Sequence, residues 1–179
     1  MSYGAKELAY SFRTVRNNTL KIAEEIPAEK YSFRATPDTR SIAEMLTHIA
    51  VGYSFQNQIH AVELRTTLEG FDFGALMAKV GTEEKVSRSK EQIIELLRSN
   101  GEQWAKFLES CSDGFLADAV QMPAGANPAT RSRVDMLMSV KEHEMHHRGQ
   151  LMLIQRMVGI MPHLTRDMQA RMAARAPQR

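Results

Sequence analysis

Apolar positions recur along this chain at spacings of three and four, the period of a helix with one buried face. Leu8, Phe12, Val15, Thr19, Ile22 and Ile26 form a first stripe, which Pro27 closes. After the loop YSFRATPDTR comes Ser41-Ile-Ala-Glu44, a serine with a glutamate three residues on. That is a capping box, in which each side chain satisfies a free N–H of a helix's first turn. Ile42, Met45, Leu46, Ile49, Tyr53 and Ile59 then carry a second helix to about residue 66. The stretch EGFDFGALMAKVG has three glycines and no sustained period, and reads as a connection. Ser89-Lys-Glu-Gln92 is a second capping box, although the third helix can begin as early as Thr82. That helix continues through Ile93, Leu97, Trp104, Phe107 and Leu108. SDGFLADAVQMPAGANPATRSR gathers Gly, Pro, Asn and Ser into a long loop, where FLADAVQM has strand character but no partner. Ser132-Arg-Val-Asp135 opens a fourth helix, which runs to Val158 before Gly159 and Pro162 stop it.

Four helices without a strand pair predict an all-α four-helix bundle, and the long connections favour crossover connections over simple up-and-down winding. The bundle is expected to occupy residues 1–163, leaving 164–179 as a basic C-terminal tail. Arg166, Arg171, Arg175 and Arg179 face only Asp167 there, and a terminus of that kind reads as a solvated end. The full chain has 179 residues, the size of one domain, with 43% hydrophobic and 25% charged positions. A net charge of +2 is too small to argue for a nucleic-acid partner. Cys111 is the only cysteine, so no intrachain disulfide can form, and it reads as a small core residue. The N-terminal stretch is charged throughout, and no segment approaches the roughly 18 apolar residues a membrane span needs. The expectation is a cytoplasmic protein with no membrane partner. Met45, Met136, Met138, Met152 and Met157 fall at helical spacing and read as core filler.

The chemistry lies in KEHEMHHRGQ, residues 141–150, where His143-Glu144-Met145-His146-His147 spells HExxH. Histidines four apart stand about 40° apart around a helix and one turn apart along it, so both imidazoles reach one ion. A metalloprotease needs a third ligand downstream, and after Glu144 the chain has no glutamate. Gln150 and Leu153 occupy the glycine and histidine positions of the longer motif. Only His163 and Asp167 remain downstream, beyond the helix end. The third ligand therefore comes from another helix, and His48, on the Met45/Ile49 side of the second helix, is the candidate. Three inward-capable imidazoles on two helices are costly to bury without a shared partner. Histidine ligands favour Zn, Ni, Fe or Co over Ca or Mg; the expected ion is Zn or Ni first, with Fe, Co and Mn as the other candidates. His60 lies about 120° around the helix from His48 and reads as a surface residue. His146 reads as a support to the site or a solvent-facing position.

At this point the chain resembles a known family. SIAEML ahead of His48, and HEMHHRGQLMLIQRMVG on the last helix, look like the DinB/YfiT-like metal-dependent proteins. The resemblance spans about residues 5–163 and is most specific in H-x-x-x-H-R-G-Q, His143 to Gln150. It implies the DinB four-helix bundle, usually a homodimer, with His48, His143 and His147 as ligands of one divalent metal. It also implies a small-molecule substrate, acted on by a hydrolase or by a transferase that uses a low-molecular-weight thiol such as bacillithiol, mycothiol or glutathione. Glu144, at a position that varies in the family, and the long ADAVQMPAGANPATRSR connection depart from the pattern.

Two uses of the metal remain open at this level. In an enzyme, the ion activates a water or thiol, with Glu144 as the base for water and Arg148 or Arg34 as cations for a thiol's carboxylates. Arg148 can equally bridge helices by pairing with Glu44. In a non-catalytic protein the ion clamps helices two and four. Three histidines fall short of the four ligands usual in structural zinc, which favours an open site.

Overall fold

The computed structural model describes residues 3–175. Its helices are α1 (Ala5–Glu25), α2 (Ile42–Val51), α3 (Ser54–Asn57), α4 (Phe73–Glu84), α5 (Lys90–Ser110), α6 (Asp113–Ala117), α7 (Arg133–Met157) and α8 (His163–Arg175). The expected caps start the expected helices. Ser41 Oγ accepts the Glu44 N–H at 3.2 Å, and Glu44 accepts the Ser41 N–H at 2.9 Å. Ser89 and Gln92 exchange the same pair of bonds at the start of α5. Ser132 caps α7 through the Asp135 N–H. At the far end of α7, Gly159 takes a positive φ of 85°, and the Ile160 N–H bonds back to Gln155 O at 2.7 Å.

α1, α2, α5 and α7 form the four-helix bundle. α1 and α2 each pack against both α5 and α7, so the pairs consecutive along the bundle, α1/α2 and α5/α7, lie on its diagonals. The α5–α7 link is one of the expected crossovers. The other crossing is made by the short loop before α2, while the long α2–α5 connection joins neighbours. The first apolar stripe is buried along its whole length, including Thr19 and Ile26. One core cluster joins Leu8, Phe12, Trp104, Leu108, Leu137 and Val140; another joins Ile22, Ile42, Leu46, Ile93, Leu97 and Leu151. Each such side chain contributes about 1.5–3 kcal/mol by leaving water.

Four local expectations are corrected. The second helix does not run unbroken to residue 66: α2 stops at Val51, and α3 and a π-turn (Gln58–Val62) complete the path before Leu64 takes a φ of 50°. The glycine-containing connection holds α4, capped by Asp72, which accepts the Ala75 N–H at 2.8 Å. Only Leu76 and Val80 of α4 are buried, a stripe too thin to register as a period. The strand-like segment does find a partner: β1 (Ala119–Gln121) pairs antiparallel with β2 (Thr130–Ser132), and Thr67 bridges to its other edge. Finally, the expected tail is the helix α8 through Arg175, tied to α1 by Arg166–Glu25 at 2.5 Å and Lys21–Asp167 at 3.9 Å; its last four residues lie outside the described residues.

Arg16 reaches all four bundle helices. It sits on α1 at 4% exposure and donates to both carboxylate oxygens of Glu144 on α7 at 2.9–3.0 Å. It also donates to Leu97 O on α5 at 2.6 Å and to Ile49 O on α2 at 3.4 Å. Gly101 makes the space: a Cβ there would stand 2.9 Å from Arg16 Cγ. Breaking a buried pair by removing one charge costs about 3–5 kcal/mol. Glu144→Gln should destabilise the apo protein by that order in denaturant unfolding. Gly101→Ala should lower the melting temperature, although alanine is normally the better helix former.

His60 is not a surface residue. It is fully buried; Arg133 donates to its Nδ1 at 2.9 Å, and its Nε2–H donates to Gln56 Oε1 at 3.0 Å. The surface reading assumed one straight helix, whereas the path after Val51 is interrupted and re-aimed. Burial first, and then the Arg133 charge, push its pKa down to about 4. Between that value and the ordinary one near 6.5, the unfolded chain holds a proton that the folded chain refuses. Stability therefore falls as pH drops through this window, by an amount of order 3 kcal/mol. His60→Gln should flatten the slope of unfolding free energy against pH between about 6.5 and 4.

Candidate metal centre

His48 lies in the last turn of α2, and His143 and His147 lie one turn apart on α7. The packing of α2 on α7 brings the three rings together edge to face, with centroids 4.6–4.8 Å apart. Nε2 of His143 is 2.9 Å from Nε2 of His48 and 3.1 Å from Nε2 of His147. Among the described residues, these three are the one group of at least three His, Cys, Asp or Glu side chains able to hold a metal ion.

The outer nitrogens decide the tautomers. His48 Nδ1 lies 2.6 Å from Glu84 Oε1, and a carboxylate oxygen only accepts, so the proton is on Nδ1. His147 Nδ1 donates to Gln150 Oε1 at 2.8 Å, while the Gln150 amide donates to His146 at 3.3 Å. In the neutral rings both inner Nε2 atoms thus present lone pairs to the same His143 nitrogen. That nitrogen carries at most one proton, so one contact sets lone pair against lone pair unless a cation lies between them. Tetrahedral Zn–N bonds of about 2.05 Å would separate ligand nitrogens by about 3.3 Å, close to the spacing found. The residues present fit a divalent transition metal.

Burial favours the neutral, ligating form. It is the main cause holding His143 down at about 4, and the neighbouring imidazoles and Arg40 push the same way. His147 is lowered chiefly by burial as well, against the opposing bond to Gln150. Gly52, at the end of α2, lets the His143 ring in: a Cβ there would stand 2.9 Å from its Cε1 and Nδ1.

Glu144, the HExxH glutamate, is 1% exposed, and Arg16 takes both of its oxygens. Glu44 pairs with Arg34 on the outside of α2, not with Arg148. His163, buried against α1, bonds Asn18 at 3.1 Å, and Asp167 faces Lys21; neither joins the histidine group. A groove of about 610 Å³ opens beside His147, between Arg34 and Arg40 on one side and Gln150, Leu153 and Met157 on the other. A larger one of about 910 Å³ runs past Glu84 and shares Arg34 and Arg40, but none of the three histidines lines it. Of the two arginines considered from sequence, Arg34 lines these grooves and Arg148 does not. Glu84, Arg40 and Gly52 were not singled out from sequence. Asp72 and the spacing to Glu84 were the available signals for a helix carrying a carboxylate.

The sequence profile of the DinB superfamily matches residues 11–151. The chain belongs to the DinB superfamily. Among solved structures, a DinB-like protein of Bacillus subtilis superposes with a TM-score of 0.62 at 21% identity, covering 86% of this chain and 92% of that one. A protein from Exiguobacterium sibiricum 255-15 described under the DinB family gives 0.64 at 19% identity, covering 89% and 94%. At these identities the likeness concerns the fold. No curated protein matches the chain. The DinB bundle here places its two chemically rich helices, α2 and α7, side by side.

Gly52 tests how this DinB chain seats its rings. Its φ of −61° is open to any residue, so alanine there is strained only by His143 and by the His48 carbonyl. Gly52→Ala should shift the His143 imidazole resonances while leaving far-ultraviolet dichroism unchanged.

Proposed function

We propose that this chain is a metal-dependent enzyme in which His48, His143 and His147 hold one divalent ion, Zn²⁺ or Ni²⁺ foremost, and which acts on a small molecule. The observation that carries this reading is the convergence of three Nε2 atoms beside an open groove, with no fourth protein ligand among the described residues. A bound ion of this class supplies Lewis acidity and lowers the pKa of a water or thiol that it binds.

The chain's own residues divide the remaining work. Glu84 and Gln150 hold the outer nitrogens of His48 and His147, which keeps both rings aimed inward. Arg34 and Arg40 offer cations to an anionic substrate group, while Leu153 and Met157 offer an apolar wall. Glu144 is engaged on both oxygens by Arg16, and this favours thiol-dependent S-transfer over hydrolysis with Glu144 as the base. A thiol that ionises on binding needs no protein carboxylate to take its proton at the site. The second reading is a non-catalytic clamp, favoured by the fact that the three histidines come from two different helices.

The test combines metal analysis of the purified protein with turnover of an electrophilic substrate in the presence of different thiols. An ester and amide panel runs in parallel. Thiol-dependent turnover that survives Glu144→Gln, assayed below the lowered melting temperature, supports the transferase reading. Metal-dependent hydrolysis abolished by that change supports the hydrolase, and stoichiometric metal with no turnover supports the clamp.

Alanine at His48, His143 or His147 should abolish stoichiometric metal binding, whereas His60→Ala should retain it. An ion shared by α2 and α7 binds the folded arrangement alone, so metal-loaded protein should melt above chelated protein at pH 7.5. Protons compete for the same nitrogens, and the gap should close as pH falls toward about 4, where His143 takes up its proton. Differential scanning fluorimetry at both pH values reads the gap directly.

A further inference from the structure

The contact between His48 and Glu84 joins the histidine cluster to a helix outside the four-helix bundle. Glu84 is the last residue of α4, which packs on α2 through Leu76, Val80 and Val51. Arg88 secures that end of α4 by donating to the Glu83 carbonyl at 2.9 Å and pairing with the Glu83 carboxylate, while the polar tie from α4 to α2 is Glu84 itself. Its Oε1 accepts the His48 Nδ1–H at 2.6 Å, and its Oε2 faces Arg40 at 3.8 Å. Glu84 is 22% exposed and His48 18%, so the bond lies in a partly dry setting, where a charge-assisted hydrogen bond is stronger than in water.

We propose that Glu84 is a positioning residue for the metal centre: its carboxylate fixes the tautomer and angle of His48, and Arg40 holds the second oxygen away from the ion. Two observations and one general effect bear on it. The 2.6 Å bond leaves His48 one protonation pattern in its neutral form, with the Nε2 lone pair directed at the other two rings. A carboxylate on the outer N–H of an imidazole also raises the basicity of the inner nitrogen, making it a better ligand. Glu84 does not itself fall within the close group of ligand atoms formed by the histidines. α4 therefore delivers an outer partner, not a fourth ligand. His147 receives a neutral amide in the equivalent place, so the two outer contacts differ in charge. His48 is accordingly the more strongly polarised of the two rings.

The inference rests on the three-histidine reading of the site, and the experiment separates the two. Zn²⁺ affinity is measured by chelator competition for the wild type, Glu84→Gln, Glu84→Ala and His48→Ala, with the Co²⁺-substituted visible spectrum as a geometric readout. Glu84→Gln keeps an acceptor for the Nδ1–H but loses the charge. The expected order is wild type, then Glu84→Gln, then Glu84→Ala, with a loss of about 10- to 100-fold at alanine. The Co²⁺ bands should shift in position while the coordination number is kept, and the metal-free proteins should melt within a few degrees of one another. A purely structural Glu84 would move those melting temperatures and leave affinity intact, which would overturn the proposal. A Glu84→Gln loss as deep as that of His48→Ala, with one ligand fewer by X-ray absorption, would overturn it too, because Glu84 would then be a ligand. Full metal retention in His48→Ala would sink the three-histidine reading itself.

Discussion

A single buried guanidinium ties the bundle together. Arg16 donates from α1 to Glu144 on α7, Leu97 O on α5 and Ile49 O on α2, so all four bundle helices meet at one charge. A charge at 4% exposure is tolerable only because its donors are matched by a carboxylate and two carbonyls. The arrangement fixes the rotation of α7. With Glu144 turned toward Arg16, His143 and His147 fall on the face that meets α2. Apolar packing alone tolerates rotation and sliding, whereas an ion pair with this many directed bonds does not.

The three-histidine cluster depends on that rotation and on three further concessions in the chain. Gly52 omits a side chain where the His143 ring must pass, and Glu84 and Gln150 orient His48 and His147 from outside. The three imidazoles are held together at a spacing that suits one ion, in surroundings that disfavour protonation of His143 and His147. The groove beside His147 places arginine cations and apolar side chains within the same opening. The proposed small-molecule substrate, with a charged end and an apolar part, rests on that combination.

The HExxH string shows how far a motif travels without its context. Its two histidines behave as their spacing demands, since i and i+4 share a face on any helix. Its glutamate does not serve the same end. In this fold the residue between the histidines meets an arginine from a helix more than a hundred positions away in sequence. The one-residue offset that points Glu144 away from the histidines' face is plain helical geometry. What waits for it there is set by packing.

The sequence by itself determined the four apolar stripes, the serine caps and the stop at Gly159, because these rest on neighbours within one or two helical turns. It also brought out His48, His143 and His147, since inward-facing histidines stand out against apolar stripes. It did not reveal α4, whose two buried residues make no period, or the hairpin, whose short strands are recognisable only as a pair. Tertiary structure alone decided the fates of the polar residues. Glu144 became the partner of Arg16, Glu84 the partner of His48, and His60 a buried acceptor for Arg133. A helix's own period says which side a residue faces, but the group that meets it there comes from a distant segment, and only the packing of helices brings that segment near.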